Sequence, residues 1–462
     1  MNLRTLISLC LLSAPVLASA QAGTMLSEDK AAAETIGFLK DLIRIDTQDP
    51  PGNESKVAEY IAKIFQREGI PCEILEPVPG RASIVARLKG DGSRKPVMIM
   101  AHEDVVPVDR SHWTEDPFAA TEKNGIIYGR GASDDKSPLA GHIETMLQLH
   151  RSGKKLKRDV IFLAEASEES GAAAGMHTIV DRYWDKIDCE FAMNEGGAAE
   201  SKDGKVIYMG IATGEKIPRG VRLVAKGSSG HASVPVEDNA VVHLAAAVAK
   251  LGTWEPPMRT NDTTREFFDR LATISPPDQA ALFRSLQSEA TQRALQHQMP
   301  QFYSMLHTSV VPTILKAGFK SNVVPPEAEA ALDIRALPDE DMESFYHAME
   351  KVIDDPSVQI VRSDASLSMP PAPASSLHTA MFAAFEHAQK KLLPDSITIP
   401  VMNTGATDSA YLRQKGVQAY GVRIPRTFAE NTAVHGNDER IATRYVGFYQ
   451  RFIELSVLEI SE

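Results

Sequence analysis

The sequence predicts an α/β fold, a layered α/β domain split in sequence around an inserted α+β domain. Three observations carry this expectation. Short, nearly continuous apolar runs, Val97 to Ala101 and Val160 to Ala164, alternate with amphipathic helical stretches, the pattern of strands buried on both faces. From about Lys216 to Val361 the order becomes strand–helix and again strand–helix, with half-exposed strands. A Pro/Ala/Ser stretch, Met369 to Ser376, then reads as a hinge that returns the chain to the first domain.

The elements follow in order. Ala31 to Ile45 and Glu54 to Arg67 are expected helices; in the second, Val57, Ile61, Ile64 and Phe65 recur at helical spacing. Ser83 to Leu88 and Val97 to Ala101 read as strands, then Pro138 to His150 as a helix. Val160 to Ala164 and Phe191 to Met193 are further strands. In the inserted region Val221 to Lys226 and Glu329 to Arg335 are strand-like, and Ala240 to Leu251 and Met342 to Ile353 helix-like. Between these halves lies a stretch rich in Gln, Leu and Ala with helical periodicity, about 254–307. A helix (Thr379 to Lys391), a strand (Ile397 to Met402) and a closing helix from Thr443 complete the first domain. The expected division is 21–215 and 366–462 for the split domain and 216–365 for the insert.

Composition narrows the class. A chain of 462 residues exceeds what one core usually supports. With 43% hydrophobic and 24% charged residues it reads as globular. A formal charge of −12 argues against a nucleic-acid partner, which needs a basic footprint. Arg4, the apolar run Leu6 to Leu17 and Ala18-Ser19-Ala20 read as a signal peptide, 1–20, cleaved after Ala20. The expectation is an exported protein, periplasmic or secreted, with no membrane partner after cleavage, because no later run is long enough to span a bilayer. Cys72 and Cys189 remain, as a pair or as buried thiols. They are too few for a cysteine zinc site, so any metal must sit on His, Asp and Glu.

Five windows place such residues after predicted strands or at a helix start. They are Ala101-His102-Glu103-Asp104, Ser133-Asp134-Asp135-Lys136, Glu168-Glu169-Ser170-Gly171, Asn194-Glu195-Gly196-Gly197 and Val434-His435-Gly436. Each alone also fits a cap, a solvated loop or a turn. Jointly, two histidines and several acids gather where open sheets place their ligands. Mixed His and carboxylate donors suit catalytic zinc better than a closed structural cage. An Asp two residues after a His can hold the imidazole's other nitrogen.

On these motifs the chain resembles the di-zinc aminoacylase/carboxypeptidase family of metallopeptidases, which includes glutamate carboxypeptidase, succinyl-diaminopimelate desuccinylase and carboxypeptidase S. The match spans almost the whole mature chain: H-x-D-V-V-P at His102, Y-G-R-G-x-x-D-D-K at Asp134, E-E-x-G at Glu168 and N-E-G-G at Glu195. It continues with G-x-x-G-H-x-S-x-P at His231, N-V-V-P at Asn322, D-x-R-x-L-P at Arg335, G-A-T-D at Asp408, and His435. The long helical insert and H-x-D-V-V-P-V look most like the carboxypeptidase S branch.

The resemblance implies a three-layer α/β/α zinc-peptidase domain with a ferredoxin-like α+β lid that mediates dimerisation. It implies two Zn²⁺ per subunit, with Co²⁺ or Mn²⁺ as possible substitutes. Asp134 would bridge them, His102 and Glu195 completing one site and Glu169 with His435 the other. Asp104 would orient His102, and the Asp134–Asp135 peptide would be cis. Glu168 would be the general base toward a metal-bridging water. His231 would stabilise the oxyanion in a neighbouring subunit's site. Arg335, assisted by Asn322, would clamp a free carboxylate, with a structural ion pair to Asp333 or Asp339 as its competing role. The implied substrate is a small peptide or an N-acyl amino acid, cleaved at an amide beside a free carboxylate. The alternative is an exported metal- or substrate-binding protein that has lost catalysis, which should lack the base or a ligand.

Overall fold

The computed structural model describes residues 25–171, 173–362 and 369–462. The expected signal peptide and the boundary at 365/366 lie outside these residues. The strand Val97–His102 explains the central layer. Its Val97, Ile99 and Ala101 point into one apolar core, and Met98 and Met100 into another. The neighbouring strand Val160–Glu165 divides its side chains the same way, Phe162 to one side and Leu163 to the other. A strand with apolar groups on both faces is stable only when helices cover both. On the first side lie Glu28–Arg44, Ser55–Glu68, Lys136–Ser152, Ala380–Leu392 and Thr443–Ser461; on the second lie Met176–Arg182 and Ser409–Gln414. The result is the three-layer α/β/α arrangement.

The sheet has nine strands. Eight lie in the order Cys72–Val78, Arg81–Leu88, Val160–Glu165, Val97–His102, Phe191–Asn194, Gln418–Gly421, Lys205–Glu215, Ile397–Asn403, and Ala198–Lys202 pairs beside Lys205–Glu215. Val160–Glu165, Val97–His102, Phe191–Asn194 and Gln418–Gly421 run parallel, so their C-terminal ends share one edge. Helix ends follow local chemistry. Ser55–Glu68 buries Val57, Ile61, Ile64 and Phe65 along one stripe and stops at Gly69, whose φ of 78° lets its N–H reach back to the last turn.

The inserted domain is a β-α-β-β-α-β unit. In chain order it comprises Val221–Lys226, Ala240–Gly252, Ser309–Ala317, Glu327–Ala336, Met342–Ile353 and Val358–Arg362. The two central strands are Glu327–Ala336 and Val221–Lys226, with Ser309–Ala317 and Val358–Arg362 outside them, all antiparallel, a ferredoxin-like order. In Glu327–Ala336 burial alternates strictly: Ala328, Ala330, Leu332 and Ile334 face the helices, while Asp333 and Arg335 face away. Ser309–Ala317 escaped the sequence reading because Pro312 interrupts it; proline is tolerated here because the strand is an edge, with a register shift at Pro312/Ile314.

One placement differs from the sequence expectation. The 254–307 stretch lies between the lid's halves in sequence, but it packs on the large sheet. Its helices Asp262–Ile274, Pro277–Phe283, Glu289–Gln298 and Pro300–Ser304 form a core with Tyr208, Ile399, Val401 and Met402. Arg270 pins it, donating to Glu386 Oε1 at 2.6 Å and to the Thr398 carbonyl at 2.9 Å. The physical cause is Ile397–Asn403, the terminal strand of the sheet, whose apolar side chains need a cover. Cys72 and Cys189 are both free thiols.

Candidate active site

The shared edge of the parallel strands brings the sequence windows together. Val97–His102 ends in His102; Glu195 follows Phe191–Asn194 directly; Glu168 and Glu169 lie in the loop after Val160–Glu165. Asp134 stands just before the helix Lys136–Ser152, and the peptide that joins it to Asp135 is cis. His435 comes from the loop that precedes Arg440–Ala442 and is half-exposed, with a φ of 58°.

Two donor groups result. One ligating atom from each of His102, Asp134 and Glu195 lies within 4.8 Å of the others, and the same holds for Asp134, Glu169 and His435. Asp134 belongs to both, through different oxygens: Oδ1 is 3.1 Å from His102 Nε2, and Oδ2 is 3.4 Å from His435 Nε2. His435 Nε2 is also 3.0 Å from Glu169 Oε1. The Glu195 turn depends on its glycines. Gly197 has φ of 80°, and a Cβ there would sit 2.2 Å from the Gly210 carbonyl oxygen.

The electrostatics describe a place crowded with acid. Burial, then the charge of Asp134, pushes Glu195 up to about 7. Burial and the neighbouring Glu195 raise Glu168 well above the carboxylate range. Asp134 goes the other way: burial opposes its ionisation, but hydrogen bonds from His102 and His435 hold it well below its usual value. The bonds His435 makes to Asp134 and to Glu169 raise His435 to about 10. Carboxylates that draw protons onto both imidazoles mark a site that favours cations. Two oxygen- and nitrogen-donor sets sharing one carboxylate fit a pair of divalent ions such as Zn²⁺, while the absence of thiolates from both sets fits an open rather than a closed structural site.

Asp104 does more than the resemblance implied. His102 Nδ1 is 2.9 Å from the Asp104 main-chain oxygen, and the carboxylate lies farther, 3.6 Å from the same nitrogen. That carboxylate accepts the backbone N–H groups of Glu168 and Glu169, each at 3.1 Å. One buried aspartate therefore ties the His102 strand to the Glu168–Glu169 loop. The residue between, Glu103, is fully buried, and neither carboxyl oxygen has a hydrogen-bond partner. Burial, then the nearby Glu54 and Asp104 charges, raises its pKa well above the usual range.

The remaining expected residues are not brought to this cavity. His231 is exposed on a two-residue strand, its Nδ1 2.7 Å from Ser233 Oγ. Asn322 is exposed nearby, its carbonyl accepting the Ala232 N–H at 3.1 Å. Arg335 forms the competing ion pair: Nε donates to Asp333 Oδ1 at 2.8 Å and Nη2 to Oδ2 at 3.2 Å. All three stand on the lid, outside the lining of the cavity that holds Asp134, Glu168, Glu169, Glu195 and His435.

Sequence reasoning missed six residues around the site. Glu439, four residues after His435, accepts the backbone N–H groups of Gly131, Ser133 and Asp134 at 3.1, 2.7 and 3.1 Å, and pairs with Arg130. Arg81 binds the buried Glu54 and Asp49 and donates to Ser167 Oγ at 2.6 Å, directly before Glu168. Arg423 and the insert residues Phe267, Phe302 and Met305 line the cavity. Only Glu439 had a signal, an acid at fixed spacing from a ligand His; the others become neighbours through tertiary contact.

Comparison with known proteins agrees with this geometry. A profile of peptidase family M20/M25/M40 matches residues 98–455. The chain is 28% identical over 432 residues to the N-fatty-acyl-amino acid synthase/hydrolase of Homo sapiens, covering 90% of this chain and 85% of the other. It is 26% identical over 413 residues to aminoacylase-1 of Mus musculus, covering 88% and 90%. Among solved structures, an M20 family metallo-carboxypeptidase from Sulfolobus solfataricus superposes with a TM-score of 0.71 at 20% identity, covering 92% of this chain and 99% of that one. The dinuclear metal binding M20 peptidase of Bacillus subtilis superposes at 0.63 with 16% identity, covering 93% and 98%. With most of its length matched by one profile and its strand ends converging on a dinuclear donor set, the chain belongs to peptidase family M20/M25/M40, hydrolases of peptide and amide bonds.

Proposed function

We propose that this hydrolase cleaves an amide next to a free carboxylate, in a small peptide or an N-acyl amino acid, with two Zn²⁺ ions and Glu168 as general base. The observation that carries the proposal is the sharing of Asp134 by two donor groups in a cavity that Glu168 also lines. His102, Asp134 and Glu195 would hold one ion, and Asp134, Glu169 and His435 the other. Bound there, the ions supply Lewis acidity, polarising the amide carbonyl and making a water easier to deprotonate.

The chain's own groups do the rest. Glu168 receives a proton from the attacking water and delivers it to the amide nitrogen as the C–N bond breaks. Asp104 fixes the base by holding its backbone N–H. His231, Asn322 and Arg335, all on the lid, are assigned to the site of a second copy of this chain in a homodimer, His231 facing the oxyanion and Arg335 the substrate carboxylate. An export signal at 1–20 completes the proposal.

The test is hydrolysis by the purified, zinc-loaded protein of dipeptides and N-acyl amino acids, each with its carboxylate free or amidated. Free-carboxylate substrates should turn over faster; equal rates would remove the role given to Arg335. Glu168→Gln should keep two zinc ions per chain by elemental analysis and lose about 10²–10⁴-fold in kcat. A variant that turns over at the wild-type rate would show that the base is another group.

A further inference from the structure

The cavity beside the donor groups is about 450 Å³. Part of its lining is charged: the acids and His435 already described, with Arg423. Gln301, Asn403, Thr404 and Thr407 add uncharged polar groups. A third part is an apolar patch: Tyr208, Phe267, Phe302, Met305, Val401 and Met402. Three of these come from the helical insert and the other three from the two sheet strands it covers.

We infer that the insert builds a seat for a bulky apolar acyl group of the substrate, with Phe302 as its face toward the cavity; this rests on the amide-hydrolase reading above. Three features support the seat. Phe302 is only partly covered, whereas Phe267 and Met305 in the same lining are buried. Its ring packs edge-on against Phe267 at 5.5 Å, Phe268 at 5.9 Å and Phe283 at 5.8 Å, so the surface is a braced aromatic block rather than a loose side chain. The block is also tied to the catalytic sheet, through Arg270, which donates to the Thr398 carbonyl at 2.9 Å, and through Thr263 Oγ1, which lies 2.7 Å from Thr213 Oγ1. The sheet therefore helps to set its position relative to Asp134 and Glu168.

The polarity of the lining orients the substrate. A carboxylate against the Phe302 ring would lose water and gain no partner from the ring. Arg423 offers a guanidinium elsewhere in the same lining. The carboxylate end is thereby kept off the aromatic block, and the group across the scissile amide, the acyl part, faces it.

Two substrate series test this on the zinc-loaded protein. In one, a single amino acid carries acetyl, butanoyl, hexanoyl, octanoyl or dodecanoyl groups; in the other, the acyl group stays acetyl and the amino-acid side chain lengthens. The expected result is a rise in kcat/KM with acyl length, up to about fourfold per methylene buried, levelling once the cavity is full. Phe302→Gln should flatten that slope, and Phe302→Leu, which keeps the face apolar, should retain it. A flat acyl series in the wild-type protein, or a slope that follows the amino-acid side chain instead, overturns the seat while leaving the hydrolase reading intact. A Phe302→Gln protein that keeps the full slope also overturns it; one that fails to fold leaves the wild-type series to decide. If no substrate of either series is cleaved with zinc bound, the hydrolase reading falls, and the seat with it.

Discussion

Glu168 illustrates how a single residue is poised by groups that never meet the substrate. Its N–H is held by Asp104, and the residue before it, Ser167, sits at a φ of 67° with its hydroxyl accepting from Arg81. Arg81 in turn neutralises Glu54 and Asp49, whose side chains are 0% and 5% exposed. Removing one partner of a buried ion pair strands the other charge, at about 3–5 kcal/mol. Arg81→Met should therefore lower the unfolding free energy by about that amount in urea melts at neutral pH. Adding Glu54→Gln to that variant should recover part of the loss. A cost below about 1 kcal/mol would mean that solvent, not Arg81, satisfies these acids.

At the scale of elements, the junction between domains rests on Lys216. It follows Lys205–Glu215, is fully buried, and its Nζ donates to the Ser304 carbonyl at 3.0 Å and to Ser309 Oγ at 3.0 Å. One amine thus joins the end of the large sheet's strand to the insert and to the start of the lid's edge strand. Burial, aided by the nearby Arg335 and opposed by Asp333, pulls Lys216 down from 10.5 to about 7; His307 also faces it. Between those values the unfolded chain binds the proton and the folded chain does not, so this group makes stability rise with pH from about 7 to 10.5. Below about 7 both states are protonated and the cost of burying the charge is present in full. Lys216→Met should flatten the pH dependence of the unfolding free energy over that window, and an unchanged profile would assign the dependence to other groups.

For the whole molecule, the lid's strand Ser309–Ala317, which among the described residues pairs on one side only, carries exposed Val311, Ile314 and Leu315, at 52%, 51% and 63%. Such an edge invites a second copy of the chain. Light scattering should report a dimer for the wild-type protein and a monomer for Ile314→Lys with Leu315→Lys. The monomer should keep its zinc and lose turnover if His231 acts across the interface; a monomeric wild type would remove that role. Among the described residues no helix is long and apolar enough to cross a membrane. Intact mass of protein expressed with its N-terminus in a secreting bacterium should correspond to a chain starting at Gln21, and retention of residues 1–20 would count against export.

The sequence by itself determined the layers and the windows from which donors could come. Apolar runs such as Val97 to Ala101 can be stable only between two layers of helices, and chemistry-bearing windows at their ends must then share an edge; which residue of each window joins which donor group followed from the family resemblance. The periodicity of the 254–307 stretch likewise gave its helices. Tertiary structure decided what those helices touch: an amphipathic helix states that one face is covered, not by what, and the uncovered terminal strand Ile397–Asn403 chose the large sheet over the lid. It decided also that Arg335 pairs with Asp333 on the open face of the lid, and that Arg81, Glu439 and Phe302 stand by the site. Those contacts join residues far apart in the chain, and no local periodicity encodes them.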